Sequence, residues 1–92
     1  MKITINYFGQ LREAANTNFE TCDCPEGTTI DEVLGNAAML HGGKFKKIVL
    51  DDNDNPRGSV VVLLNGQSID RENLPVLKDN DEINLFTAIA GG

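Results

Sequence analysis

The stretch over residues 29–43 carries a start signal, an apolar stripe and a stop signal for a single helix, and it is the one clear helix in the chain. Thr29-Ile30-Asp31-Glu32 matches the capping box, in which a hydroxyl and a Glu carboxylate satisfy free backbone N–H groups at a helix start. Ile30, Val33, Leu34, Ala37 and then Leu40 recur at helical spacing. Asp31 and Glu32 suit the positive end of the helix dipole. Gly42-Gly43 stops the run, because glycine accepts the left-handed conformation common at helix ends. His41 falls in the last turn, where a solvent-contacting helix-end role is expected.

The flanking segments have the other period. Ile3, Ile5 and Tyr7 alternate with Thr4 and Asn6, which predicts a half-buried strand, with Phe8 on the face opposite Tyr7. Gly9 breaks it, and residues 10–15 are expected to form a turn or one helical turn. Residues 19–24 predict a second strand, ended by Pro25 and antiparallel to the first. Glu20, Cys22 and Cys24 share one of its faces. Beyond the helix, Phe45, Ile48 and Val49 allow a second short helix, and residues 51–56 read as a solvated loop without the ligand spacing of a calcium site. Residues 59–64 predict a strand that is apolar on both faces. Asn65-Gly66 follows as a tight turn and residues 67–69 as a short edge strand. Lys78-Asp79-Asn80-Asp81 is a further turn, and residues 82–86 make the last strand, with Ile83 and Leu85 facing one way and Phe86 the other.

One helix after a hairpin can cover one face of a mixed sheet, and a right-handed crossover then brings the later strands beside the first. The expected fold is therefore α+β: a ubiquitin-like β-grasp roll, a mixed sheet of about five strands with one main helix on one face. The 92 residues suffice for one domain, placed at residues 1–86, followed by a flexible tail over residues 87–92. With no Trp and one Tyr, the core must be mostly aliphatic.

Charge narrows the function. The chain carries a net charge of -6, and its eight Lys and Arg are scattered, so it lacks the basic stripe that nucleic acid requires. An anionic membrane surface is disfavoured for the same reason. A basic face on a protein partner would instead attract it. The longest apolar run is Val60-Val61-Val62-Leu63-Leu64, far short of a membrane span, and the N-terminal residues alternate rather than form a targeting signal, so a cytoplasmic location is expected. Cys22 and Cys24 are too close in an extended chain for an unstrained disulfide. They are too few for a zinc or iron–sulfur site, and are expected to be small buried hydrophobes. No metal or bound cofactor is expected. Ser59, Ser68 and His41 show no triad motif and there is no P-loop, so no residue within the domain reads as catalytic.

The chemistry points to the end of the chain. Thr87-Ala88-Ile89-Ala90-Gly91-Gly92 follows the last strand directly, is uncharged, and shows no pairing partner in the pattern. Two terminal glycines arise by chance at roughly 0.5%, taking Gly at about 7% of residues. A functional reading of the pair is thus favoured over a frayed terminus. Without Cβ atoms, Gly91 and Gly92 fit a narrow channel in extended form. ATP can convert the Gly92 carboxylate to an acyl-adenylate. A sulfur donor can then displace AMP to leave a thiocarboxylate, or an amine can displace it to leave an amide.

Several segments together resemble the small subunit of molybdopterin synthase and its relative, the thiamine-pathway sulfur carrier. They are Tyr7-Phe8-Gly9-Gln10-Leu11-Arg12-Glu13, Pro25-Glu26-Gly27-Thr28-Thr29-Ile30, Leu64-Asn65-Gly66, Leu77-Lys78-Asp79-Asn80-Asp81-Glu82-Ile83 and Gly91-Gly92. The aromatic-Gly-Gln-Leu-Arg-Glu segment and the long stretch over residues 43–58 favour the molybdopterin type. The resemblance implies a sulfur carrier loaded as a thiocarboxylate on Gly92. It also implies two partners: an E1-like adenylating enzyme that uses ATP, and the large subunit of molybdopterin synthase, in a heterotetramer. A thiamine-pathway carrier, a ubiquitin-like protein modifier and a non-covalent β-grasp interaction module are the alternatives.

Face parity adds a docking surface. If Ile3, Ile5, Tyr7, Ile83 and Leu85 face the helix, Phe8 and Phe86 lie on the opposite face of neighbouring strands, near the tail. There they predict an exposed aromatic pair that Leu63 can join. Ile89, Ala90 and Gly91 would bind in a partner groove.

Overall fold

Ile3, Ile5 and Tyr7 form the inner face of strand β1 (Lys2–Tyr7), as their alternation requires, and each is at most 2% exposed in the computed structural model, which describes residues 1–88. Strand β2 (Phe19–Asp23) runs antiparallel to it, with Ile3 opposite Cys22 and Ile5 opposite Glu20. Between them, residues 9–15 form a helix, α1 (Gly9–Ala15), longer than the turn expected. Gly9, at φ +55°, redirects the chain. Leu11 and Ala15, four residues apart, then bury one helical face, so tertiary packing sustains a helix too short to persist alone.

Helix α2 (Ile30–His41) begins at the predicted capping box. The Thr29 hydroxyl accepts the Glu32 N–H at 3.1 Å, and the Glu32 carboxylate accepts the Thr29 N–H at 3.0 Å. Gly42 and Gly43, both at positive φ, end α2 and open α3 (Gly43–Val49), which buries Phe45 and Val49.

Two expectations about α2 need correction. Leu40 is 72% exposed, whereas His41 is turned inward. His41 stands about three full turns after Ile30, so it continues the centre of the stripe set by Ile30, Leu34 and Ala37. Leu40 falls at the margin of that stripe. His41 therefore packs against the core instead of capping the helix in solvent.

Strands β3 (Val60–Leu64), β4 (Gln67–Ser68) and β5 (Glu82–Thr87) complete a five-stranded sheet in the order β2-β1-β5-β3-β4. The central pair, β1 and β5, is parallel, with Ile5 beside Ile83 and Tyr7 beside Leu85; the other pairs are antiparallel. The expected ubiquitin-like β-grasp is thus formed, with α2 as its main helix and the shorter α1 and α3 beside it among the described residues. Ile30, Val33, Leu34, Ala37 and Ala38 of α2 share one buried cluster with Ile3, Ile5, Val60, Val62, Ile83 and Leu85. Burial of each large aliphatic side chain there contributes about 1.5–3 kcal/mol. Cys24 belongs to this cluster, but Cys22 is only half-buried, because β2 is the sheet's edge and leaves one side of it uncovered.

The β3–β4 turn uses Asn65 at φ 51° and Gly66 at φ 82°, and Asn80 takes φ 70° before β5, both as their sequences predict. Pairing runs beyond the expected end of the last strand. Thr87 stands opposite Val60, and the Ala88 N–H donates to the Ser59 carbonyl at 2.8 Å. Among the described residues no helix is long and apolar enough to cross a membrane.

Candidate functional site

The sheet has one face under the helices and one open face, and the end of β5 brings an apolar hollow to the open one. Phe86 opposes Val61 across the β5–β3 ladder and points away from buried Leu85, as the period of two dictates. The Phe8 N–H donates to the Leu85 carbonyl at 3.1 Å, so the β1–β5 pairing continues one residue past β1 and sets Phe8 beside Phe86. Gly9 then turns the chain into α1 and leaves the Phe8 ring, 47% exposed, on the open face. The two rings meet edge to face, with centroids 6.3 Å apart and planes at 90°, a favourable aromatic geometry.

Leu63 completes the patch. Phe8, Gly9, Leu63, Asn84 and Phe86 line one shallow hollow. Phe8 and Phe86, the pair expected from parity, are therefore brought together, and Leu63, whose facing the sequence left open, joins them. Asn84 and Gly9 were not anticipated, although Asn84 follows from the same parity, two residues before Phe86. The Asn84 side chain accepts from Asn6 Nδ2 at 2.8 Å, and Asn6 also donates to Glu82 at 3.1 Å. The open face thus grades from apolar beside the end of β5 to polar at its start. None of the five lining residues titrates, so the hollow can bind a partner surface but can neither donate nor accept a proton as a catalyst. Ile89, Ala90, Gly91 and Gly92 lie outside the described residues.

A second cluster lies on the helical side. The buried Tyr7 hydroxyl donates to Glu20, and His41 Nε2 lies 2.7 Å from the same carboxylate oxygen. Tyr7 and Phe45 meet edge to face at 5.3 Å, with His41 against both. Burial, then the hydrogen bond to Glu20 and that carboxylate's charge, hold the Tyr7 phenol well above its usual range. A phenol so firmly protonated is a structural donor, and the cluster fastens the end of α2 to β2. Among the described residues no group of three or more His, Cys, Asp or Glu is placed to hold a metal ion.

Residues 5–92 match the ThiS family. The chain is a member of the ThiS family. Over its whole length it is 25% identical to a molybdopterin synthase sulfur carrier subunit of Chlamydomonas reinhardtii, also covered in full. The structure of the small archaeal modifier protein 1 from Methanosarcina acetivorans is 28% identical, with a TM-score of 0.81 over 99% of this chain and 96% of that one. Subunit 1 and 2 of the molybdopterin-converting factor from Helicobacter pylori form a solved complex, in which the matching chain is 22% identical, with a TM-score of 0.61 and full coverage of both chains. The ThiS-family match takes in Gly91 and Gly92 as well as the open-face residues Phe8, Leu63 and Phe86.

Proposed function

We propose that this ThiS-family chain carries sulfur as a thiocarboxylate on Gly92 for the synthesis of molybdopterin. The observation that carries this reading is the full-length similarity to a molybdopterin synthase sulfur carrier subunit, together with an unreactive aromatic hollow beside the end of β5. In this reading an E1-like adenylating enzyme binds residues 89–92, and a Gly92 carboxylate oxygen attacks the α-phosphorus of ATP. Pyrophosphate leaves, and a sulfur donor then displaces AMP. The carrier supplies the acyl group and the partner supplies the catalysis. The large subunit of molybdopterin synthase next takes the tail, with Phe8, Leu63 and Phe86 against its surface, in a heterotetramer of two carriers on a large-subunit dimer. The Helicobacter pylori complex of subunits 1 and 2 supports a large-subunit partner for a chain of this fold.

The test is the intact mass of the protein after incubation with ATP, a sulfur donor and its cognate activating enzyme. Replacement of one oxygen by one sulfur, localised to Gly92 and lost when that residue is deleted, is the expected result. An unchanged mass with a demonstrably active enzyme would reject the carrier reading. The similarity to a small archaeal modifier protein favours a second use of the same activated glycine, amide formation with lysines of other proteins. A ladder of heavier lysine-linked species in cell extract would identify it.

A further inference from the structure

On the side of the sheet away from the aromatic hollow, the edge strand β2 is unprotected. The N–H of Cys24 donates to Met1 and that of Tyr7 donates to Asn18, which sets the phase of the β1–β2 ladder. Cys24, Cys22, Glu20 and Asn18 aim their backbone groups at β1, so Phe19, Thr21 and Asp23 aim theirs outward. The Phe19 carbonyl accepts from the Thr17 hydroxyl. The N–H and C=O groups of Thr21 and Asp23 have no partner among the described residues. Sheet edges are ordinarily blunted by lysine, proline or a bulge, and β2 has none of these. Its one inward charge, Glu20, is engaged by Tyr7 and His41.

Under this edge runs a groove of about 150 Å³ between β2 and α2, whose lining includes Cys22, Cys24, Val33, Ala37 and Leu40. A strand added to β2 would place every second side chain over it. The exposed Leu40 forms its outer wall. The charged groups that line it are acidic: Glu20 and Asp23 line the strand side, no Lys or Arg is among the lining residues, and Glu32 lies two turns before Leu40 on α2. Pairing of two β2 edges from two copies would bring these carboxylates together in a chain of net charge -6.

We propose that the outer edge of β2 and the groove beneath it dock an extended segment of a partner protein in which aliphatic and basic residues alternate. The aliphatic residues fill the groove beside Val33, Ala37 and Leu40, and main-chain hydrogen bonds to Thr21 and Asp23 extend the sheet. This surface is separate from the hollow at Phe8 and Phe86 and does not depend on sulfur transfer.

The experiment titrates the isotopically labelled full chain with a capped hexapeptide alternating valine and lysine, followed by amide NMR. Saturable shifts and slowed solvent exchange at Thr21 and Asp23 are expected, with no binding of a matching valine–glutamate peptide. Thr21→Pro removes an outward N–H and no ladder bond, and should weaken binding about five- to ten-fold. Leu40→Lys, at a side chain that folding leaves exposed, should abolish saturable binding and serves if the proline variant unfolds. Shifts confined to Phe8, Leu63 and Phe86, equal binding of the glutamate peptide, or no saturable shift would overturn the proposal. Concentration-dependent self-association through β2 would overturn it in favour of a second copy.

Discussion

Phe8 and Phe86 come from strands separated by most of the sequence, yet their rings meet edge to face at 6.3 Å on the open side of the sheet. The contact stabilises the fold modestly, because Phe8 remains 47% exposed and the main core lies on the other face. Phe86→Ala should therefore cost about 1–2 kcal/mol in urea unfolding. Under the proposed carrier function, the same change should weaken binding to a large synthase subunit by about 2 kcal/mol or more, roughly thirty-fold, as for an aromatic anchor at an interface. Calorimetric titration of the folded variant checks the second figure. Loss of cooperative folding would instead assign Phe86 to the core.

The Tyr7–Glu20 bond sets a different expectation. Glu20→Ala leaves a buried phenol without its acceptor and should destabilise the protein by about 1–3 kcal/mol. Tyr7→Phe removes the donor and should cost less. In the double variant the two losses should not add, and the shortfall measured by urea unfolding reports the coupling.

Much of this architecture was legible in the sequence because its signals are local. The capping box at Thr29 and Glu32, the Asn65-Gly66 turn and the alternation of Ile3, Ile5 and Tyr7 each concern neighbours within four residues. Parity combined with strand order reaches Phe8 and Phe86, whereas the facing of Leu63 stays open because its strand is apolar on both faces. What escaped notice depended on distant partners. Helix α1 exists because Leu11 and Ala15 find the core. The role of His41 required knowing that Glu20 and Phe45 would meet it, although its phase along α2 already pointed inward. Cys22 was expected to be buried, but β2 is an edge, and the alternation of one strand does not reveal its place in the sheet.

Asn65 and Asp81 tie the β3–β4 turn to the start of β5. Asn65 Nδ2 donates to Asp81 at 3.0 Å, its Oδ1 accepts the Glu82 N–H at 2.9 Å, and Asp81 also accepts the Lys78 N–H at 2.8 Å. Asn65→Gly keeps the left-handed backbone free of strain while deleting both side-chain bonds, so its cost combines their loss with the greater freedom of the unfolded chain. About 1–2 kcal/mol is expected by urea unfolding. Asp81→Ala, at a buried position, should cost at least as much, because it also frees the Lys78 N–H.

Cys22 gives a pH-dependent outcome. Burial, then the neighbouring Cys24 thiol and the charges of Glu20 and Asp23, push its thiol up to about 11. Its Sγ donates to the Ile3 carbonyl at 3.6 Å, a contact that the neutral form alone can make. Only the thiolate reacts with iodoacetamide. Alkylation of Cys22 should therefore be slow near neutrality and should keep accelerating above pH 9, where an unperturbed thiol levels off. The linkage has the same sign. A folded-state value raised above the unfolded one contributes stability that is complete below about pH 9 and is lost as the pH rises towards 11. Cys22→Ser should flatten that alkaline loss. Peptide mapping of the alkylated residue across pH 7–11, with urea midpoints for both proteins, checks the two halves of the argument. A rate that levels off near pH 9 would show that Cys22 is as solvated as in an unfolded chain.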